Sequence, residues 1–279
     1  MNRALPRWAG DNDKIGGIII TTTLKEIKLG MYGGGVNSTA MLILLTEQGH
    51  IMDYVLFADP GGERPDTYEY IKMFSGWLVA HNQPAVTVIK PLLPKQVFDK
   101  TLEGECLRLK TLPGLAFGRR SCSVKWKVKP VDRFIRNNIS TNGQKITKYI
   151  AFDADETQRV CRARKLSAQG YDVVFPLHDA QEITRGKCID IIAHAGLSVP
   201  PKSSCFFCPA RTKDEILDVA IKYPDLIERA INLEINAFKR QQKIKGLGRR
   251  FSWEQYLKKE VNLKNNYPYP EILCECIDG

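Results

Sequence analysis

Three strings in this chain place residue types at spacings that could do chemistry. The first is Gly33-Gly34-Gly35-Val36-Asn37-Ser38-Thr39, set between the apolar run from Ile27 to Tyr32 and the apolar series Ala40-Met41-Leu42-Ile43-Leu44-Leu45. Glycines let the backbone bend sharply and approach a ligand closely. The start of a following helix offers unpaired amides and the positive end of the helix dipole, so a phosphate or pyrophosphate suits the turn. Ser38 and Thr39 could add hydroxyl donors. The second string is Asp59-Pro60-Gly61-Gly62-Glu63-Arg64-Pro65-Asp66-Thr67-Tyr68, directly after another apolar run. Asp59 falls at the carboxyl end of that run, where open α/β sheets bind ligands. The third is Ser204-Cys205-Phe206-Phe207-Cys208-Pro209. Two cysteines at this spacing can chelate one ion or two irons of one cluster.

Each string has an alternative. A Walker loop needs a lysine that the glycine turn lacks, and a dinucleotide fingerprint needs a glycine where Ser38 stands. A glycine-rich turn with no ligand is the plain alternative. No second Cys-x-x-Cys exists, so a closed zinc knuckle is excluded and any further ligands come from far away in sequence. Cys122, in Arg119-Arg120-Ser121-Cys122-Ser123-Val124-Lys125, is the best candidate, because clustered cations favour the thiolate. Zn²⁺ and a pair of buried thiols beside Phe206 and Phe207 are the other readings. Asp155 and Glu156 could hold Mg²⁺ with a triphosphate, or could cap a helix N-terminus. Cys161 and Cys188 read as core fillers, and the four histidines form no ligand pattern.

The elements that must position these residues alternate. Ile27 to Tyr32 reads as a buried parallel strand, followed by a helix over 37–49. Strand 53–58 leads to a helix over 65–81, opened by Pro65 with Asp66 and Glu69 at its positive end. A third strand spans 85–90. From 91 to 147 prolines and glycines break the periodicity, and an irregular insertion with short helices is expected. A fourth strand is expected over 149–152, a fifth over 173–177 and a helix over 184–194. Thr212 and Glu215 form a capping box, and Pro224 opens another apolar-striped helix. This order predicts an α/β fold, a parallel sheet with helices on both faces, followed by a C-terminal helical region.

The motifs carry a resemblance. The turn at Gly33 resembles the PP-loop of the ATP pyrophosphatase superfamily, with Gly33 in place of its first serine and Asn37 in place of its aspartate. Asp59, Gly61, Pro65, Asp66, Thr67 and Tyr68 are similar to the Asp-Thr-Gly-x-x-x-Pro-Glu-Thr-Tyr motif of phosphoadenylylsulfate (PAPS) reductases and their relatives. Cys122, Lys127, Pro130, Cys205, Cys208 and Pro209 match a cysteine and Lys-x-x-Pro step followed by Cys-x-x-Cys-Pro. Glu156, Thr157 and Arg159 match the end of a further motif, where Ala151 and Asp153 depart. The chain therefore resembles the PAPS reductase family, of the adenine nucleotide α-hydrolase-like type, over most of 27–237.

The resemblance implies a Rossmann-like (HUP-type) sheet that binds ATP or an adenylylated nucleotide over Tyr32, Gly33, Gly34, Gly35, Asn37, Ser38, Thr39, Asp59, Gly61, Asp155, Glu156 and Arg159, with Mg²⁺. Asn37, Ser38, Asp59 and Lys127 become catalytic candidates. A [4Fe-4S] cluster is implied on Cys122, Cys205 and Cys208, with Cys106 as fourth ligand or one iron left open. The implied reaction is adenylylation of an acceptor for sulfur transfer or a related modification, with nucleic acid or a nucleobase as the candidate acceptor and a sulfur donor protein as partner. Reduction of adenylylsulfate or phosphoadenylylsulfate is the rival; Glu275-Cys276 matches that group's tail, but its Gly-Leu-His does not follow. A nucleotide-binding sensor without turnover is the third reading, supported by Asn37.

Composition bounds the whole. The chain has 279 residues, a formal net charge of +10 and eight cysteines. That length buries a large core, and the charge favours acidic partners. Nine Lys or Arg and a single acid, Asp132, lie between Arg108 and Arg136. Such a stretch is either a solvated face or, with Phe117 and Trp126 interleaved, a surface for phosphates and bases. No apolar run reaches the ~20 residues of a membrane span. No signal peptide is evident, which sets the expectation of a cytoplasmic protein with few disulfides. The expected organisation is an arm over 1–22, a nucleotide-binding domain over 23–200, and the cysteine segment with the helical region over 201–279.

Overall fold

The computed structural model describes residues 26–91, 100–139, 144–166, 170–179, 182–240 and 245–264. The arm over 1–22 and the tail thiols Cys274 and Cys276 lie outside the described residues.

The strands are β1 Ile27–Tyr32, β2 Tyr54–Ala58, β3 Val86–Ile89, β4 Ile146–Ile150 and β5 Asp172–Val174. The helices, in chain order, are α1 Val36–Glu47, α2 Pro65–Ala80, α3 Leu102–Leu109, α4 Ser121–Ser123, α5 Lys129–Asn138, α6 Thr157–Leu166, α7 Pro176–Asp179, α8 Arg185–His194, α9 Lys213–Lys222, α10 Pro224–Phe238 and α11 Trp253–Lys264. A π-helical turn, Val124–Val128, joins α4 to α5.

The strands form one five-stranded sheet in the order β3-β2-β1-β4-β5, and every neighbouring pair is parallel. This is the α/β, Rossmann-like architecture expected. β1 and β2 are central and nearly continuous in apolar residues because both faces are covered. Leu29, Val55, Leu56 and Phe57 are essentially inaccessible. On one face α1, α2 and α8 pack Ala40, Met41, Ile43, Phe74, Leu78 and Ile192 into a core with Val55 and Phe57. On the other, α5 lays Val131 and Ile135 against Leu29, Leu56 and Ile89. A third core, around Trp126, Phe206, Phe207 and Trp253, joins α3, α9, α10 and α11. It forms the expected C-terminal helical region and includes the Cys205–Cys208 turn.

Several elements differ from the sequence expectation. β4 begins at Ile146 and ends before Phe152, whose ring instead stacks on Phe175. β5 stops at Val174 because Pro176 opens α7. Helix α1 starts one residue earlier than Asn37, at Val36. The basic stretch after Arg120 is more regular than expected: 121–138 is helical throughout. Cys188 is fully buried, but Cys161 is exposed and fills no core, since α6 turns its neighbour Val160 inward instead. Among the described residues no helix is long and apolar enough to cross a membrane.

Candidate functional site

Between β1 and β4 the connections run in opposite directions across the sheet. In open α/β sheets this switch point is where ligands bind, outside the carboxyl ends of the strands. The glycine turn sits there. Gly34 has φ of +72°, and a Cβ on it would meet Ile71 Cδ1 and Ser203 Oγ at 3.3 Å. Glycine is required both for the left-handed backbone and for the close approach. Ser38 Oγ accepts from the Gly33 amide at 3.1 Å and the Gly35 amide at 3.4 Å, and donates to the Gly35 carbonyl at 3.0 Å. Thr39 Oγ1 donates to the same carbonyl at 3.0 Å and is fully buried. These hydroxyls brace the loop rather than point at a ligand, contrary to the sequence expectation. The helix start at Gly35 has no side-chain cap, so it is backbone that the turn presents. Tyr32 is also turned inward. Its ring packs on Phe57 and Phe74, and burial pushes its phenol far above the usual range.

Asn37 reaches across the switch point. Its Nδ2 donates to Asp153 Oδ2 at 2.8 Å, while its Oδ1 accepts from Arg185 at 3.4 Å. Asp153 is buried, and its other oxygen caps the turn Ala154–Glu156 by accepting the Asp155 amide at 3.1 Å. The acid that meets the loop is therefore Asp153. Asp155 is exposed. Glu156 is paired with Arg159, which lies over the Phe152 ring at 4.3 Å. Asp155, Glu156 and Arg159 serve a helix start, the second of the two sequence readings, and the structure does not bring them to the glycine turn.

Asp59 is buried and committed to its own loop, accepting from the Gly61 amide and the Tyr68 hydroxyl, each at 2.7 Å. The more telling carboxylate is Glu63. Its fully buried side chain takes Lys127 Nζ at 3.1 Å. It also lies 3.4 Å from Ser203 Oγ, whose hydroxyl donates to the Gly33 carbonyl. Burial works against the Lys127 charge, but Glu63 and then Cys205 outweigh it and hold the ammonium above its ordinary range. Neither Glu63 nor Ser203 stood out as a site residue. Ser203 has no local signal, and Glu63 was hidden among the turn residues of its string.

Beside Ser203 the cysteine turn docks on Gly62. A Cβ there would meet the Phe207 ring at 2.8 Å, and the Phe206 amide donates to the Gly62 carbonyl at 2.7 Å. Arg211 holds the turn from behind, donating to the carbonyls of Cys205 at 3.2 Å and Ser204 at 3.0 Å. Its Nη1 and the Ser204 hydroxyl are buried without a hydrogen-bond partner. Cys106, Cys122, Cys205 and Cys208 are all free and meet in the third core. Burial, then Glu63, raises the Cys205 thiol well above its usual value. Burial, then Glu105 and Cys122, pushes Cys106 up to about 12. The charge of Cys122 bears on Cys106, Cys205 and Cys208 alike.

Four thiols, Cys106 and Cys205 buried and Cys122 and Cys208 half-buried, with Lys127 and Arg211 beside them, fit an anionic thiolate-held group in donor type and charge. Among the described residues no three His, Cys, Asp or Glu side chains are already arranged to hold one metal ion. Closing these thiols on a group requires side-chain movement.

Two cavities flank the arrangement. One of about 280 Å³ lies under α5 at the carboxyl ends of β1, β2 and β4, lined by Met31, Gly33, Leu56, Lys127, Val131 and Ile150. The other, about 330 Å³, is lined by Cys106, Phe117, Arg119, Cys122, Lys125 and Trp126. Compared with known proteins, the chain matches no family model and has no significant match among curated proteins.

Proposed function

We propose that the protein binds an adenine nucleotide at the Gly33–Gly35 turn and adenylylates an acceptor, as the resemblance to the PAPS reductase family implies, for sulfur transfer to that acceptor. One observation carries this reading. The Ser203 hydroxyl, the Glu63 carboxylate and the Lys127 ammonium tie the glycine turn to the cysteine turn, so phosphate chemistry and thiol chemistry share one site. The apolar cavity beside Gly33 suits a flat base, and the uncapped start of α1 suits phosphate.

In this reading an acceptor oxygen attacks the α-phosphorus, the bond to the β-phosphate oxygen breaks and pyrophosphate leaves. The loop amides and Lys127 stabilise the charge that develops on the phosphate oxygens. Asn37, held by Asp153 and Arg185, fixes the loop in place of a charged residue. A sulfide donor then forms the carbon–sulfur bond as the carbon–oxygen bond breaks and AMP leaves. A persulfide donor would need a second thiol to cleave the resulting S–S bond and leave as a disulfide with it. Cys122, Cys205 and Cys208, with Cys106, would hold an iron–sulfur cluster, which when bound supplies iron for sulfur ligation.

Calorimetry with ATP and Mg²⁺ tests the first half. The wild type is expected to bind, and Gly34→Val to lose at least about a hundredfold in affinity, because its side chain would enter the space of Ile71 and Ser203. Lys127→Met, at a half-buried surface site, is expected to weaken binding while the fold persists. Absence of binding in the wild type would overturn the reading. Iron and sulfide assays after anaerobic preparation test the second half. Sulfite release from adenylylsulfate without ATP would favour the reductase reading, and binding without turnover the sensor.

A further inference from the structure

The helical run 121–138 has two working faces. One, with Lys127, Val128 and Val131, closes the cavity beside Gly33. The other carries Lys125, Lys129, Arg133 and Arg136, which recur at i, i+4, i+8 and i+11 and all line a groove of about 870 Å³ between this helix and the edge strand β3. Lys90, at the end of β3, faces them from the far side. All five cations are exposed. Among the described residues the groove's only acid, Asp132, is bonded to Lys148 at 2.7 Å, and Lys125 shares Glu105. Like charges one turn apart on a helix oppose its formation by a few tenths of a kcal/mol per pair. A polyanion laid in the groove would remove that repulsion.

The floor is not polar. Val88 and Val124 are 48% and 44% exposed, and Phe134 is half-buried beside them. Cations on the rim with an apolar floor match a strand whose phosphates are charged and whose bases are unpaired. A duplex keeps its bases stacked away from such a floor, and a peptide of acidic residues alone has no rings to place on it. A π-helical turn also interrupts the helix at Val124–Val128, where the two faces diverge, and such turns recur at functional sites.

We infer that the groove between β3 and the 121–138 helix docks a single-stranded nucleic acid, its phosphates on Lys90, Lys125, Lys129, Arg133 and Arg136. The helix is the wall between this groove and the cavity at Gly33, and Asp132 lines both. A docked strand thus lies one helix width from the proposed phosphate site. The inference deepens the function proposed above and rests on it for what is done to the strand, not for docking.

The test is fluorescence anisotropy with labelled oligothymidine and oligouridine of about 20 nucleotides, titrated across a salt series. Single strands lose affinity with a log–log slope of about −0.7 per phosphate contact. Both probes, or one of them, are expected to bind. The variant Lys90→Ala/Lys129→Ala/Arg136→Ala is expected to lose tenfold or more and to flatten the slope by about 2. Polyglutamate of matched charge is expected to compete poorly. Failure of both probes to bind, an unchanged slope in the variant, or equal competition by polyglutamate each overturns the inference. If the variant melts below the wild type, the wild-type slope and the polyglutamate competition decide. ATP affinity is measured on the same samples. Oligonucleotide binding with the expected slope supports the groove whether or not ATP binds, so the two readings fail separately.

Discussion

The glycine turn and the cysteine turn are built in opposite ways. The first is braced by neighbours: Ser38 bonds Gly33 and Gly35, and Thr39 bonds Gly35, all within six residues. The second has local bonds from Cys208 and Arg211, but its surroundings come from distant partners. Gly62, Cys106 and Cys122 come to Cys205 and Cys208 from separate parts of the chain, and Lys127 meets Glu63 across 64 residues. A locally braced turn forms whenever its strand and helix form. A turn assembled at long range depends on the packing of the whole helical region. The first should therefore tolerate damage to the helical core, and the second should not.

The largest effect expected is on reactivity, and it calibrates how tightly the sheet core is closed. Cys161 on α6 is exposed, whereas Cys188 on α8 is inaccessible. Burial, then the charge of Asp153, pushes the Cys188 thiol up to about 12. The thiolate is the reactive form, so raising a thiol from about 8.5 to that value cuts reactivity by roughly a thousandfold at neutral pH. Iodoacetamide at pH 8, followed by peptide mass mapping, should label Cys161 and leave Cys188 unmodified. Equal labelling would mean that the core beneath the glycine turn opens.

Next comes the helical core itself. Glu234 is fully buried on α10 and accepts from the amides of Leu247, Trp253 and Glu254 and from the Ser252 hydroxyl. Burial raises its pKa, and these donors pull it back without cancelling the rise. Glu234→Ala leaves several buried donors unmatched, and a loss of about 3–5 kcal/mol is expected in urea denaturation. ATP affinity per folded molecule should change little, while thiol protection at Cys205 and Cys208 should fall. Equal loss in both turns would erase the contrast between them.

The sequence was most legible where contacts are local. β1, α2 and the Thr212–Glu215 capping box stand almost where periodicity and capping place them. The candidate site was legible as parts. Gly34, Asn37, Lys127, Cys205 and Cys208 carry their residue types openly. Their partners Glu63, Asp153 and Ser203 do not, because each is ordinary until the fold brings it to the turn. Asp155 and Glu156 misled for the same reason: a carboxylate pair after a strand looks identical whether it faces a ligand or a helix start. The region 121–138 is more regular than the expected irregular insertion, with Pro130 at the start of α5 directly after the π-helical turn Val124–Val128.

A smaller effect probes the joint between the two turns. Glu63→Gln keeps the shape but removes the charge that holds Lys127. Its side chain is fully buried while Lys127 is more than a third exposed, so solvent screens part of the loss. About 1–2 kcal/mol of stability should go. The same change should weaken the proposed ATP binding, because the neutral amide no longer orients Lys127 or accepts from Ser203 as a carboxylate while Ser203 holds the Gly33 carbonyl. A variant that binds ATP normally would separate the two turns and confine Glu63 to the cysteine side.

The smallest effect lies on the seam where α2 meets α9. Arg64 is buried and shared between Asp66 and Asp218, both at 2.6 Å, and Asp218 also takes Lys222 at 2.7 Å. Burial raises the Asp218 pKa, but the bonds from Lys222 and Arg64 outweigh it and set the carboxyl below its ordinary value. A group whose folded pKa is depressed stabilises the protein above its unfolded pKa, about 3.9 for Asp, and that stability is lost as pH falls through the folded value. Asp218 is about a third exposed, so only about 0.5–1 kcal/mol is expected from Asp218→Asn at pH 7. The gap between variant and wild type should narrow as pH falls below the unfolded value and through the depressed folded one, as the wild-type carboxyl protonates. Urea midpoints measured from pH 7 down to pH 2.5 decide this. A gap that is constant with pH would show that Asp218 acts through packing, leaving the seam to the apolar cores on either side.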